Sequence, residues 1–372
     1  MVVKRQKMLV GTDWMRGEET NQSNLFHTFS VEHLVPKHHP LRRVRKIAEQ
    51  ALKGLSAVFD IMYSDEGRPS IAPERLLKSE LLIALYSIRS ERQFCEMVGY
   101  NILFRWFLGM SMDEPPFHPS SFSKNRERLL EHEVAYEFLQ QVVAIANKHG
   151  LLSTEHFSVD GTLIESWASL KSFRPKDEDP PQGGGKNPDV DFKGQRRKND
   201  THQSTTDPEA RLAKKSKGKE AKLCFSANVI TENRHGLVVE AELVQATGKA
   251  ETQTAAAMLE RLCDNPNINP KTLGADKAYH SKEMIDACRE NEVSPHIAER
   301  SDRKVAGLDR RTTRHNSYQI SQRKRKLTEQ LFGYTKSVAG KAKSRFVGVK
   351  RNAFDFIMKI TAYNILRVAT IT

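Results

Sequence analysis

The reading of this chain turns on Phe157-Ser-Val-Asp-Gly-Thr-Leu-Ile164, where apolar residues alternate with Ser158 and Asp160 before Gly161. Alternation with a period of two marks a half-buried β-strand. An aspartate set among apolar residues on a central strand is costly to bury unless it is paired or holds a metal. Asp160 is therefore a candidate functional residue. Asp276, in Leu273-Gly-Ala-Asp-Lys-Ala-Tyr279, repeats the pattern as a carboxylate just after a short apolar strand. Each motif alone is weak, because aspartate also caps the helix that follows many strands.

Beyond the first strand, Leu223 to Thr231 and Leu237 to Val244 read as two strands joined by the polar turn Glu232 to Gly236. A helix near Thr252 to Cys263, a strand at Thr272 to Ala275, a helix near Ser281 to Asn291 and a strand at Ser294 to Ile297 follow. This order predicts an α/β catalytic part, a mixed sheet covered by helices, over residues 151–372, with C-terminal helices over 315–372. Arg174 to Glu220 interrupts it with Pro180-Pro181, Gly183-Gly184-Gly185, many charges and few large apolar residues, and reads as a flexible or irregular insertion.

Upstream, residues 1–150 read as an all-α N-terminal domain. Pro73 suits a first helical turn, and Leu77, Leu81, Leu85 and Ile88 recur on one apolar face. A second helical stretch is expected from Ser123 to Gly150. Between them, Phe104-Arg-Trp-Phe-Leu108 and Pro115-Pro116 read as a packed aromatic corner.

The 372 residues carry a formal charge of +13, which favours a polyanionic partner. The charge is concentrated: residues 301–351 hold fifteen Lys or Arg against three acids, Asp302, Asp309 and Glu329. That density points to phosphate contact. Cys95, Cys224, Cys263 and Cys288 form no C-x-x-C pair, so neither structural zinc nor a disulfide framework is expected. No run of about 18 apolar residues exists to span a bilayer, and the N-terminus lacks a secretory apolar core. The expected location is the cytoplasm, with no membrane partner.

Glu329 is the third acid. If Tyr318 to Lys336 is one helix, Arg325, Glu329, Phe332 and Lys336 share a face, placing a carboxylate among cations. Carboxylates from two strand ends and a later helix can hold two hard divalent cations such as Mg2+ through oxygen. A metal pair of this kind serves in-line phosphodiester displacement. Glu165 is expected on the opposite side from Asp160. His38, His39 and His118 read as structural or surface residues, and Tyr279, Trp167 and Phe332 as core. Lys277, beside Asp276, is a candidate phosphate contact.

Several longer strings resemble the DDE transposases of bacterial insertion sequences, specifically the insertion-sequence-five group. In the helical part they are Gly67-Arg-Pro-Ser-Ile71, Pro73-Glu-Arg-Leu-Leu77, Tyr86-Ser-Ile-Arg-Ser-Glu-Arg-Gln93, Phe104-Arg-Trp-Phe107 and Ser120-Ser-Phe-Ser-Lys-Asn-Arg126. In the catalytic part they are Asp160-Gly-Thr-Leu-Ile-Glu-Ser-Trp-Ala-Ser169, Thr206-Asp-Pro-Glu-Ala-Arg211 and Asp276-Lys-Ala-Tyr279. The family's third motif, Y-x2-R-x3-E-x6-K, is matched by Arg325, Glu329 and Lys336, while Gln322 stands at its tyrosine position and Tyr318 one turn earlier.

The resemblance implies an RNase H-like catalytic domain in which Asp160, Asp276 and Glu329 are the catalytic and metal-binding residues. It also implies two Mg2+ ions, replaceable by Mn2+. The implied reaction hydrolyses phosphodiester bonds at transposon ends and transfers the 3′-hydroxyl into target DNA. Expected partners are double-stranded DNA and further copies of the chain, as a homodimer or higher assembly. Arg325, Lys336, Lys277, Arg323 and Lys324 are the expected DNA contacts. An RNase H-like nuclease without strand transfer, and a catalytically silent DNA-binding repressor, share most of these features.

Overall fold

In the computed structural model, residues 30–372 are described except 64–69, 177–196, 216–217, 303, 309 and 341. Eight helices come first: α1 (Val31–Leu34), α2 (Leu41–Lys53), α3 (Ser56–Met62), α4 (Pro73–Leu85), α5 (Glu91–Tyr100), α6 (Ile102–Leu108), α7 (Pro119–Glu131) and α8 (Val134–Lys148). Pro73 opens α4 as expected, yet Leu76 through Ala84 are all buried. This helix is a hub enclosed on every side rather than an amphipathic surface helix. The stretch from Ser123 to Gly150 is two helices, because Glu133 adopts a left-handed backbone (φ 51°) that breaks the run. Phe94, Phe104, Phe107 and Phe122 are fully buried, so the aromatic corner is core.

The sheet begins with β1 (His156–Glu165), then β2 (Phe173–Pro175), β3 (His202–Ser204), β4 (Arg211–Ala213), β5 (Lys222–Glu232) and β6 (Val238–Gln245). Helix α9 (Ala250–Cys263) leads to β7 (Thr272–Ala275), and α10 (Lys282–Glu290) leads to β8 (Ser294–Ile297). Strand β5 pairs antiparallel with β1 and β6, whereas β1, β7 and β8 are mutually parallel. The order β6-β5-β1-β7-β8, with β4 beside the start of β5, is the RNase H-like mixed sheet. Each parallel crossover carries a helix, as parallel strands require. Of the insertion read at Arg174 to Glu220, residues 177–196 and 216–217 lie outside the described residues; its remainder supplies the β2–β3 ribbon and edge strand β4.

Four backbone N–H groups, those of Ser153, Arg234, His235 and Leu237, donate to the buried Glu232 carboxylate at the β5–β6 turn. Gly236 closes that turn with φ 72°, a conformation available to glycine at little cost. The C-terminal region follows as α11 (Arg310–Thr313), α12 (Asn316–Lys324), α13 (Leu327–Gly333) and α14 (Val349–Ile371).

Helix α14 packs on α2, α4, α8 and β6, so one continuous apolar core runs from Val35 to Ala369. Asn364 fixes this docking, since its side chain accepts from Val238 N–H (2.9 Å) and donates to Val238 C=O (2.7 Å). The Asn364→Ala variant leaves both backbone groups buried without partners and loses roughly 2–4 kcal/mol of stability. Urea unfolding followed by circular dichroism measures this loss, and wild-type stability would remove Asn364 from the docking contact.

Candidate active site

The pairing of β1 with β7 ends at Ser158 opposite Gly274, while β1 runs on to Glu165. Asp160 therefore sits where its parallel neighbour stops. Strand β7 closes at Ala275, and Asp276 caps the 3-10 turn Lys277–Tyr279, its Oδ1 accepting from Ala278 N–H at 2.7 Å. Asp160 Oδ1 accepts from Gly161 N–H at 2.9 Å. Neither aspartate forms an ion pair among the described residues, and each keeps its second oxygen free of such bonds. Burial pushes the Asp160 carboxyl up to about 6. The Gly161 N–H and Arg325 hold it down, whereas the charges of Asp276 and Glu251 push it further up.

The third motif arrives in pieces. The single helix expected over Tyr318 to Lys336 is instead α12, a turn at Arg325–Lys326, α13, and a π-helical turn at Tyr334–Val338. At the turn the backbone stays right-handed but bonds i to i−3, Thr328 N–H to Arg325 C=O and Glu329 N–H to Lys326 C=O, and tertiary anchors stand on both sides of it. Gln322 donates to the carbonyls of Ala275 and His296, and the Thr328 hydroxyl bonds Thr231 at 3.0 Å. Gln322, at the motif's tyrosine position, thus ties α12 to the ends of β7 and β8. Tyr318 donates to Ile297 C=O, at the end of the same β8.

Arg325 is half-buried near Asp160, and its Nε is buried without a hydrogen-bond partner. Lys336 is half-buried and donates to the Thr162 hydroxyl, two residues from Asp160; burial lowers its pKa. Glu329 is exposed in the first turn of α13, and its side chain makes no hydrogen bond or ion pair among the described residues. Arg323, Lys324 and Lys277 are exposed.

Sequence reasoning passed over Glu251, in the first turn of α9. Its Oε1 lies 2.7 Å from where a Cβ on Gly161 would stand, so its carboxylate rests against the residue after Asp160. Burial raises the Glu251 pKa, and Asp276 raises it further. Tyr279 is fully buried beside the same acids. Its hydroxyl interacts with Glu251 yet makes no hydrogen bond of normal geometry. An acid in the first turn of a helix is ordinary by itself, so no sequence signal marks Glu251.

The donor set suits a hard divalent cation: two neighbouring carboxylates, one largely buried, with no cationic side chain in ion-pair contact. Among the described residues no group of three His, Cys, Asp or Glu side chains is placed to hold a metal ion by itself. Such a site suits a divalent cation that keeps several of its own waters.

The remaining expectations divide. Glu165 is engaged by Lys222 and Lys343. Tyr279 is core and Phe332 packs against the core, but Trp167, expected in the core, is 66% exposed with the Lys343 ammonium over its ring. His38 and His118 are exposed and His39 is partly exposed.

Two family profiles match, together covering about three quarters of the chain: a transposase domain (DUF772) over residues 29–128 and a transposase DDE domain over residues 189–365. No curated protein sequence matches. Among solved structures, the piggyBac transposase synaptic complex with hairpin DNA overlays at TM-score 0.41 with 9% identity, covering 89% of this chain and 75% of that one. The Mos1 transposase paired-end complex with the left transposon end overlays at TM-score 0.19 with 14% identity, covering 78% and 85%. These overlays are too loose to carry residue roles across.

The raised Asp160 pKa has a consequence for stability. The folded protein binds this proton more tightly than the unfolded chain does, so the carboxylate destabilises the fold increasingly as pH rises through about 6. In EDTA at pH 8, Asp160→Asn should exceed wild type in stability by up to about 3 kcal/mol, with the gap closing near pH 4. Denaturant melts at the two pH values test this, and a gap independent of pH would refute it.

Proposed function

The chain belongs to the DDE transposases of insertion sequences, metal-dependent enzymes that act on DNA, and from that premise we propose that Asp160, Asp276 and Glu329 form its catalytic site. The observation that carries this reading is the meeting of Asp160 and Asp276 at the ends of β1's and β7's pairing, both without an ion-pair partner among the described residues. Within the family, the third-motif spacing supports a place in the insertion-sequence-five group.

The reaction proposed is hydrolysis of phosphodiester bonds at the element's ends, followed by attack of the freed 3′-hydroxyl on target DNA. Bound Mg2+, as two ions or Mn2+ in their place, would activate the attacking oxygen and stabilise the leaving one. Asp160 within β1 and Asp276 just past the end of β7 hold their carboxylates on rigid backbone, each fixed by one backbone N–H so that the other oxygen faces the reaction. Glu329 is the third acid, delivered by α13 beside the Arg325 turn. Arg325 and Lys336 flank Asp160 and position the scissile phosphate, which fixed cations do without reorganisation.

Arg323, Lys324 and Lys277 stand exposed and track the phosphate backbone. The helices of residues 30–150 take DNA-end binding and assembly, in a homodimer or higher assembly that joins two ends.

Labelled element ends with Mg2+, scored for nicking and strand transfer, test the reading. Asp160→Asn and Asp276→Asn should lose both products while retaining DNA binding, and Glu329→Gln should behave alike; full cleavage by any of them removes that residue from the site. Ca2+, with its looser and larger coordination, should not support turnover. Nicking without joined product would leave a nuclease.

The exposed cations give a separate measurement. If Arg323 and Lys324 each neutralise one phosphate, the double alanine variant should flatten the slope of log affinity against log salt by about 1.8. An unchanged slope would make these residues a solvated face.

A further inference from the structure

Beside Asp160 and Asp276 stands a carboxylate that the three-acid reading does not use. Glu251 reaches this place from α9, across the strand from the α12–α13 side, at the point where β7 has stopped and β1 continues alone. Gly161 makes the approach possible. A Cβ there would stand 2.7 Å from Glu251 Oε1 and 2.9 Å from Asn228 Oδ1, so any larger residue would displace the carboxylate. The Glu251 side chain makes no ion pair among the described residues, and the Tyr279 hydroxyl beside it meets it only in poor hydrogen-bond geometry. Helix-end electrostatics alone would be satisfied by a solvent-facing acid, and does not account for a half-buried carboxylate resting against Gly161.

The second observation is Tyr279. Its ring is fully buried, and its hydroxyl, with no well-formed hydrogen bond, lies beside Glu251 and near Asp160 and Asp276. A buried hydroxyl without a partner is costly, and it is accounted for if the group beside it shifts when a ligand arrives. The three carboxylates repel one another without a cation and do not yet converge. A cation that keeps several waters can still engage all of them, two directly and one through its hydration shell.

We propose that Glu251 is a positioning residue of the divalent-cation site formed by Asp160 and Asp276, accepting hydrogen bonds from the cation's water ligands while Tyr279 steadies it. The inference rests on the assignment of Asp160 and Asp276 to that site. Such outer partners orient the directly bound ligands and commonly change metal affinity ten- to a hundredfold when removed.

The test is Mn2+ titration of the full chain without DNA, followed by electron paramagnetic resonance of the free ion. Glu251→Gln should weaken Mn2+ binding roughly tenfold or more, and Glu251→Asp should recover part of the loss. Tyr279→Phe should weaken it less than Glu251→Gln does. The Glu251→Gln melting temperature in EDTA should not fall, because the neutral amide relieves repulsion; a merely structural acid would show the opposite pattern, a lowered melt with unchanged Mn2+ affinity. Asp160→Asn and Asp276→Asn should abolish Mn2+ binding. If they bind Mn2+ like wild type, the cation site itself is misassigned. If they lose it while Glu251→Gln binds within twofold of wild type, only the role of Glu251 is overturned.

Discussion

Parallel pairing between β1 and β7 lasts for three residue pairs, from His156 opposite Thr272 to Ser158 opposite Gly274, and the site depends on where it stops. One more pair would cover Asp160 with backbone; one fewer would carry Asp276 away from it. Gly274 allows the close approach, because a Cβ there would come within 3.1 Å of Ser158 Oγ. The strand ends at Ala275, and the backbone at once turns under the Asp276 cap. Two carboxylates are thereby held side by side by main-chain geometry, whose stiffness side-chain rotamers alone cannot supply.

Bringing acids together in a partly buried place is unfavourable, and the surroundings show how the fold tolerates it. Burial raises Asp160, and the Gly161 N–H and then Arg325 offset part of the effect. The nearby cations are arranged around the acids without neutralising them: Lys336 is tied to Thr162, and Arg325 keeps a buried Nε without a hydrogen bond. Locally this is poor design for stability. Poorly satisfied charge of this kind gathers where a protein binds charged ligands.

The scaffold absorbs that cost by continuity. Helix α14 closes the molecule by packing at once on the N-terminal helices and on β6, with Asn364 completing the hydrogen bonding of Val238. Glu232 organises the β5–β6 turn through four backbone donors, keeping the central strand, buried along nearly its whole length, in register with β1. The register of Asp160 is therefore set partly by residues far from it in sequence.

Strand and helix order from residue 156 to 297 was legible from periodicity, since a sheet buried on its faces demands apolar residues at fixed spacing. Asp160 and Asp276 stood out for the same reason, as acids where apolar residues were expected. The tertiary structure decided the rest, because packing against distant elements outweighs local repeats. Gln322 is anchored to β7 and β8 and Thr328 to β5 on either side of a turn at Arg325–Lys326 that interrupts the helix the spacing of Arg325, Glu329 and Lys336 implied, and Glu329 is exposed. Glu251 carried no comparable signal: in sequence it is one more acid at a helix start, and it becomes part of the acidic centre only because α9 crosses the sheet where Gly161 lacks a side chain.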